Sequence, residues 1–190
     1  MEFTLTDEEK KLLLVTARLS IESKLKNTAP RYPEPTPALG KKCGAFVSLH
    51  IKNNLRGCIG YIAAIKPLFE TIKEMANSAA FLDPRFSPLT LEELDQVDIE
   101  ISVLSPLEKI ADKERIEVGK HGLMVRKGIF SGLLLPQVAA EHGWDRDQFL
   151  SHTCQKAGLT ASAWKSGGID LEIFTAVVFN ERALGLRTAH

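Results

Sequence analysis

An α+β fold with largely antiparallel strands is predicted by three features of the sequence. Helical periodicity recurs at 6–25, where a capping box leads it, and at 66–80. Strict apolar/polar alternation marks 43–51, 55–62 and 97–104. A short turn signal, Lys52-Asn53-Asn54, joins the first two alternating runs as a hairpin.

The elements follow in order. Thr6 caps the first helix and Glu9 completes a capping box, with Leu12, Leu14, Val15, Leu19, Ile21 and Leu25 at helical spacing. Pro30, Pro33, Pro35 and Pro37 then exclude helix and central strand, leaving a linker or a functional loop. From Cys43, the residues Ala45, Val47, Leu49 and Ile51 form one apolar strand face. Residues 55–62 (LRGCIGYI) form the partner strand. A helix over 66–80 buries Leu68, Ile72, Met75, Ala76 and Ala79. Asp83-Pro84-Arg85-Phe86-Ser87-Pro88 ends it, and Thr90 with Glu93 opens a short helix. Strands are expected at 97–104, 123–127 and 133–135, with 128–132 as a turn. Pro136 starts a helix that Gly143 ends. Asp145, boxed with Gln148, starts another that ends at Gly158. A single, central strand is expected over 171–179.

Composition bounds the function. The chain has 190 residues, enough for one domain or two tightly packed small ones. Lys plus Arg and Asp plus Glu are both 24, so there is no net charge to support a nucleic-acid partner. With 44% apolar and 25% charged residues the chain is expected to fold rather than remain disordered. No run approaches the roughly 18 consecutive apolar residues of a membrane span. The N-terminus, MEFTLTDEEKK, is acidic where a signal peptide would be basic and then apolar, which predicts a cytoplasmic chain. Cys43, Cys58 and Cys154 are few, odd in number and widely spaced, as reduced thiols are. No CxxC pair or recognisable cofactor motif is present, so no metal site is expected and the cofactor is unknown.

The hairpin carries the chemistry. A three-residue loop at 52–54 would set Ile51 opposite Leu55, Leu49 opposite Gly57 and Val47 opposite Ile59, matching the apolar faces. It would set Arg56 opposite His50 and Cys58 opposite Ser48, with His50 diagonal to Cys58. Cys58 is then a candidate nucleophile, His50 its base or orienter, and Arg56 a charge partner or anion ligand. The plain alternative is a small buried cysteine beside a structural arginine. Gly57 and Gly60 weaken a strand unless a backbone or ligand approaches closely. Asp83 and Arg85 read as a salt bridge or as part of a cleft. Gln137 and Glu141 share a helix face, and His121 sits in a loop. These three are further binding candidates, each with a bland surface alternative.

The hexapeptide Leu55-Arg56-Gly57-Cys58-Ile59-Gly60 resembles the hallmark of the AMMECR domain family. Gly44-Ala45-Phe46-Val47, Asp83 to Pro88, Ile101 to Ser105, His121-Gly122-Leu123, Leu135 to Val138 and Lys156 to Leu159 fit as well, in the family's order. Together they span nearly the whole chain, and the length resembles that of a stand-alone prokaryotic member. The resemblance implies a single AMMECR domain over 1–190. Its two subdomains, a larger and a smaller, would pack intimately around a cleft and exchange chain segments at their boundaries. The family carries no established biochemical activity. Two function classes follow. One is a cleft enzyme or ligand-binding protein acting on a small anionic substrate or a modified nucleoside. There Ser48, His50, Arg56 and Cys58 would wall the cleft. The other is a non-catalytic adaptor or carrier for a Memo-like protein and a radical S-adenosylmethionine protein, partners that the resemblance suggests.

Overall fold

The computed structural model describes residues 4–187. The chain divides into two compact units. One runs to Leu104 and resumes at Val177, and the other is the intervening Ser105–Ala176.

In the first unit, helix α1 (Asp7–Leu25) starts at Thr6 with both hydrogen bonds of the capping box. The proline-rich connection is free of helix and strand apart from one 3-10 turn at Pro37–Gly40. Strands β1 (Gly44–Ile51) and β2 (Asn54–Tyr61) form the hairpin. Helix α2 (Leu68–Phe81) follows, then the one-turn α3 (Leu91–Leu94), again with a complete capping box, and β3 (Val97–Leu104). The last strand of this unit, β8 (Ala176–Asn180), comes from near the end of the chain. The sheet order is β2-β1-β3-β8, with β1 antiparallel to both neighbours. One face carries Ala45, Val47, Leu49, Ile99, Ile101 and Val103. It forms the core with Leu13, Leu14, Ala17 and Ile21 of α1 and Leu68, Ile72, Met75 and Ala76 of α2. Period two in the strands and period 3.6 in the helices therefore meet in one apolar layer.

The second unit has the sheet order β4-β7-β5-β6. Its strands are β4 (Glu108–Ile110), β5 (Gly122–Lys127), β6 (Phe130–Leu134) and β7 (Asp170–Phe174). Helices α4 (Pro136–Glu141) and α5 (Arg146–Lys156) accompany it. Asp145 and Gln148 box the start of α5, and Gly158 follows its end at φ 78°. The core gathers Ile110, Leu123, Val125, Phe149, Leu150, Cys154 and Ile173.

The α+β architecture agrees with the sequence, but three elements differ. The turn expected over 128–132 is shorter, so β6 begins at Phe130. The strand β4 was not anticipated. The single strand expected at 171–179 is two. β7 is interior to the second sheet and β8 is an edge of the first, with Thr175 between them. Thr175 is held by Ser105, whose Oγ accepts its N–H at 2.9 Å and whose own N–H donates to its carbonyl at 2.9 Å. No helix among the described residues is long and apolar enough to cross a membrane.

Candidate functional site

The hairpin turn sets the site. Lys52 and Asn53 have φ values of 50° and 65°, and Ile51 pairs with Asn54. A two-residue loop with both φ positive follows the strand twist better than ordinary turns do. Continued strictly, such a loop would place Arg56 opposite Leu49, in the apolar face. Instead a bulge lets His50 pair with Leu55 and Leu49 with Gly57, leaving Arg56 as the extra residue. The expected register therefore holds from Leu49 onward and fails at the turn. His50 does not face Arg56.

Arg56, out of the ladder, turns to α3. Its Nε and Nη2 donate to Oε1 and Oε2 of Glu93 at 2.8 and 2.9 Å. The same carboxylate accepts the Thr90 N–H at 3.0 Å, so Glu93 caps α3 and neutralises Arg56 at once. The Phe86 ring lies near two guanidinium groups, Arg85 at 5.4 Å and Arg56 at 5.9 Å.

Cys58 lies on β2, an edge strand, where backbone groups lack a neighbouring strand. Asp83 and Arg85 supply the missing partners. Asp83 Oδ2 accepts the Cys58 N–H at 2.8 Å, and Arg85 Nη2 donates to the Cys58 carbonyl at 3.2 Å. The two side chains join by a two-point ion pair at 2.9 and 2.7 Å. Asp83 is 4% exposed. The Arg85 guanidinium holds its carboxyl well below the usual carboxylate range, helped by two backbone N–H groups and opposed by burial. Asp83 and Arg85 thus form a salt bridge that covers the strand edge.

The sheet's second face is polar. Ser48 lies opposite both Cys58 and Glu100, which makes a row across β2, β1 and β3. His50 lies opposite Asp98, and Phe46 lies opposite Gly60 and Ser102. The Ser48 hydroxyl donates to Cys58 Sγ at 3.1 Å. Cys58, Ser48, His50, Asp98 and Glu100 are all half-buried. Among the described residues, no hydrogen bond joins His50 to the sulfur, whose partner is Ser48. Burial raises the Asp98 carboxyl, Arg182 at 3.5 Å acts against that rise, and Oδ1 is buried without a hydrogen-bond partner. Asp98 and Glu100 were legible as one face of the alternating VDIEISVL run, but their place beside the hairpin needed the β1–β3 pairing.

Both hairpin glycines are approached closely by protein. A Cβ on Gly57 would lie 2.2 Å from the Ala79 carbonyl of α2. One on Gly60 would lie 2.4 Å from the Ala45 carbonyl and from the Phe46 ring. The remaining candidates belong to the second unit. His121 Nδ1 accepts the Glu117 N–H at 3.1 Å. Gln137 on α4 has a buried Oε1 without a partner, and Glu141 at the same helix's end is exposed. Cys43 and Cys154 are buried, which pushes both thiols up. Among the described residues, no group of three or more His, Cys, Asp or Glu is placed to hold a metal ion.

The AMMECR1 family model matches residues 14–179, a span that includes the whole hairpin, the 83–88 loop and β3. The chain belongs to the AMMECR1 family. Its relatives in that family include Protein PH0010 of Pyrococcus horikoshii, 43% identical over 95% of this chain and 94% of that protein. Protein MJ0810 of Methanocaldococcus jannaschii is 42% identical, over 93% of this chain and 92% of its own. Protein MK0488 of Methanopyrus kandleri is 45% identical, over 93% and 90%. The crystal structure of the uncharacterised PH0010 superposes with a TM-score of 0.86 at 42% identity, covering 93% of each chain. The AMMECR1 fold is thus shared with an experimental structure.

Proposed function

We propose that this AMMECR1-family chain is a thiol-dependent enzyme acting on a small polar molecule at the polar face of its first sheet. The observation that carries the reading is the Ser48 hydroxyl bonded to Cys58 Sγ at 3.1 Å, on the face that also carries His50, Asp98 and Glu100. Cys58 is the nucleophile, Ser48 aims its sulfur, and His50, diagonal to it, receives or returns a proton. Arg56 and Arg85 are engaged by Glu93 and Asp83. A purely anionic substrate therefore finds no free guanidinium from this pair beside the sulfur. A modified nucleoside fits the face better, because it brings N–H and O–H donors to an imidazole and carboxylates.

Site-resolved alkylation of the native protein tests the reading, with Cys43 and Cys154 as internal standards. Cys58 is expected to react in the folded state, while the two buried thiols react only on unfolding. Modification of Cys58 only on unfolding would overturn the nucleophile role. The adaptor reading would then stand, with Cys58 as packing.

A further inference from the structure

A second set of charged groups gathers at the turn end of the hairpin. Lys52, Asn53, Asp95, Asp98, Arg182 and Arg187 are among the residues that line a cavity of about 570 Å³. That volume falls in the range of small-molecule sites and exceeds what a bare inorganic ion fills. Three cations face two carboxylates there, leaving one net positive charge.

The state of each group says what is missing. Arg182 is shared between Asp98 Oδ2 at 3.5 Å and Asn53 Oδ1 at 3.3 Å. Arg187 donates to the carbonyls of Leu94, Asp95 and Val97. These neutral acceptors fix its guanidinium without neutralising it, and it makes no carboxylate ion pair among the described residues. The Lys52 ammonium has no partner among the described residues. Asp98 presents the reverse deficit: its Oδ1 is buried without a hydrogen-bond partner of its own, and the Arg182 guanidinium and backbone N–H offset the burial of the carboxyl only in part. A buried acceptor without a donor is a costly arrangement that a bound hydroxyl or amine would relieve. The cavity thus needs two things of an occupant, an anionic group for Lys52 and Arg187 and a hydroxyl or amine donor for Asp98.

We propose that this cavity binds an organic phosphate of a hydroxylated compound. The phosphate would meet Lys52 and Arg187, and a hydroxyl would donate to Asp98 Oδ1. Arginine's planar fork suits phosphate oxygens, and the carbonyls behind Arg187 pre-order it. The proposal needs no thiol chemistry, and Asp98 is the one residue it has in common with the polar face around Cys58.

Calorimetric titration of the full chain with ribose 5-phosphate, inorganic phosphate and ribose tests it. Ribose 5-phosphate is expected to saturate a single site and to bind at least tenfold more tightly than inorganic phosphate, with ribose undetected. Lys52→Gln, on an exposed turn where folding is not at stake, is expected to weaken binding about tenfold. Arg187→Gln should do the same. Asp98→Asn should bring ribose 5-phosphate down to the affinity of inorganic phosphate. Equal binding of the two phosphates, binding indifferent to Lys52→Gln, or no saturation at millimolar ligand would each overturn the proposal. None of these readouts involves Cys58, so failure here and failure of the thiol reading are separate results.

Discussion

The carboxylate of Asp83 accepts the backbone N–H of Cys58 at 2.8 Å, across 25 residues of sequence. Through this bond and the Arg85–Cys58 carbonyl bond, a loop side-chain pair occupies the place of a neighbouring strand. Asp83→Asn is expected to destabilise the protein by about 2 kcal/mol at neutral pH, because the Arg85 guanidinium loses its carboxylate and one of the two acceptor oxygens becomes an NH₂ donor facing donors. The pH dependence has a definite sign. The folded-state carboxyl titrates below its unfolded value, so its stabilisation is complete above about pH 5 and is lost as pH falls toward the folded value. The gap between wild type and variant in urea unfolding should therefore narrow in acid. A constant gap would show that the ion pair is not the source.

Gly57 admits no side chain, since its Cβ would lie 2.2 Å from a helix carbonyl rather than from a yielding side chain. Gly57→Ala should cost about 2 to 3 kcal/mol by forcing α2 from the sheet. Gly40→Ala, where nothing lies within 4 Å, should change stability by less than about 0.5 kcal/mol. Denaturant midpoints of the two variants check the contrast.

Lys52 sits at φ 50°, a conformation disfavoured for a side-chain-bearing residue. Lys52→Gly should raise stability by about 0.5 kcal/mol, because relief of the left-handed backbone outweighs the added chain entropy. Asn53→Ala should act oppositely, by about 1 kcal/mol, since Asn tolerates φ 65° and its Oδ1 accepts from Arg182. Thermal melts of both variants would read the two signs. A destabilised Lys52→Gly would remove the turn argument.

Glu181 is 2% exposed and holds Arg18 by two bonds of 2.5 Å while accepting the Ile99 N–H at 2.9 Å. Glu181→Ala should cost about 3 to 5 kcal/mol, since it strands a guanidinium and a backbone donor. The Arg18→Ala, Glu181→Ala double variant should lose less than the sum of the singles. Additive losses in urea unfolding would mean that the pair does not act as a unit.

Features set within a few residues were the legible ones. The capping boxes at Thr6, Thr90 and Asp145 need only a residue and its third successor, and all three form. The strand at 97–104 keeps its expected limits because alternation marks both ends. The hairpin register was legible where apolar faces had to match, from Leu49 to Ala45. It failed at Arg56, because turn twist there outweighs strict face matching and a bulge reconciles the two. The run 171–179 is apolar apart from Glu172 and Thr175, and a single polar threonine in a mostly apolar stretch did not mark the point where it divides between two sheets. In the candidate site, the Ser48–Cys58 opposition followed from pattern alone. The engagement of Arg56 by Glu93 and of Cys58 by Asp83 did not, since side-chain contacts across 37 and 25 residues leave no local trace.

The division at Thr175 also bears on the order in which the protein is made. Residues 105–176 leave the ribosome between β3 and the strand that completes the sheet beside it. Until β8 and Glu181 emerge, β3 lacks its outer neighbour and Arg18 lacks its carboxylate. The second unit is wholly synthesised by then and is free to fold first. Closure of the first sheet therefore waits until the whole of the second unit has been made, and the outer edge of β3 stays open until then.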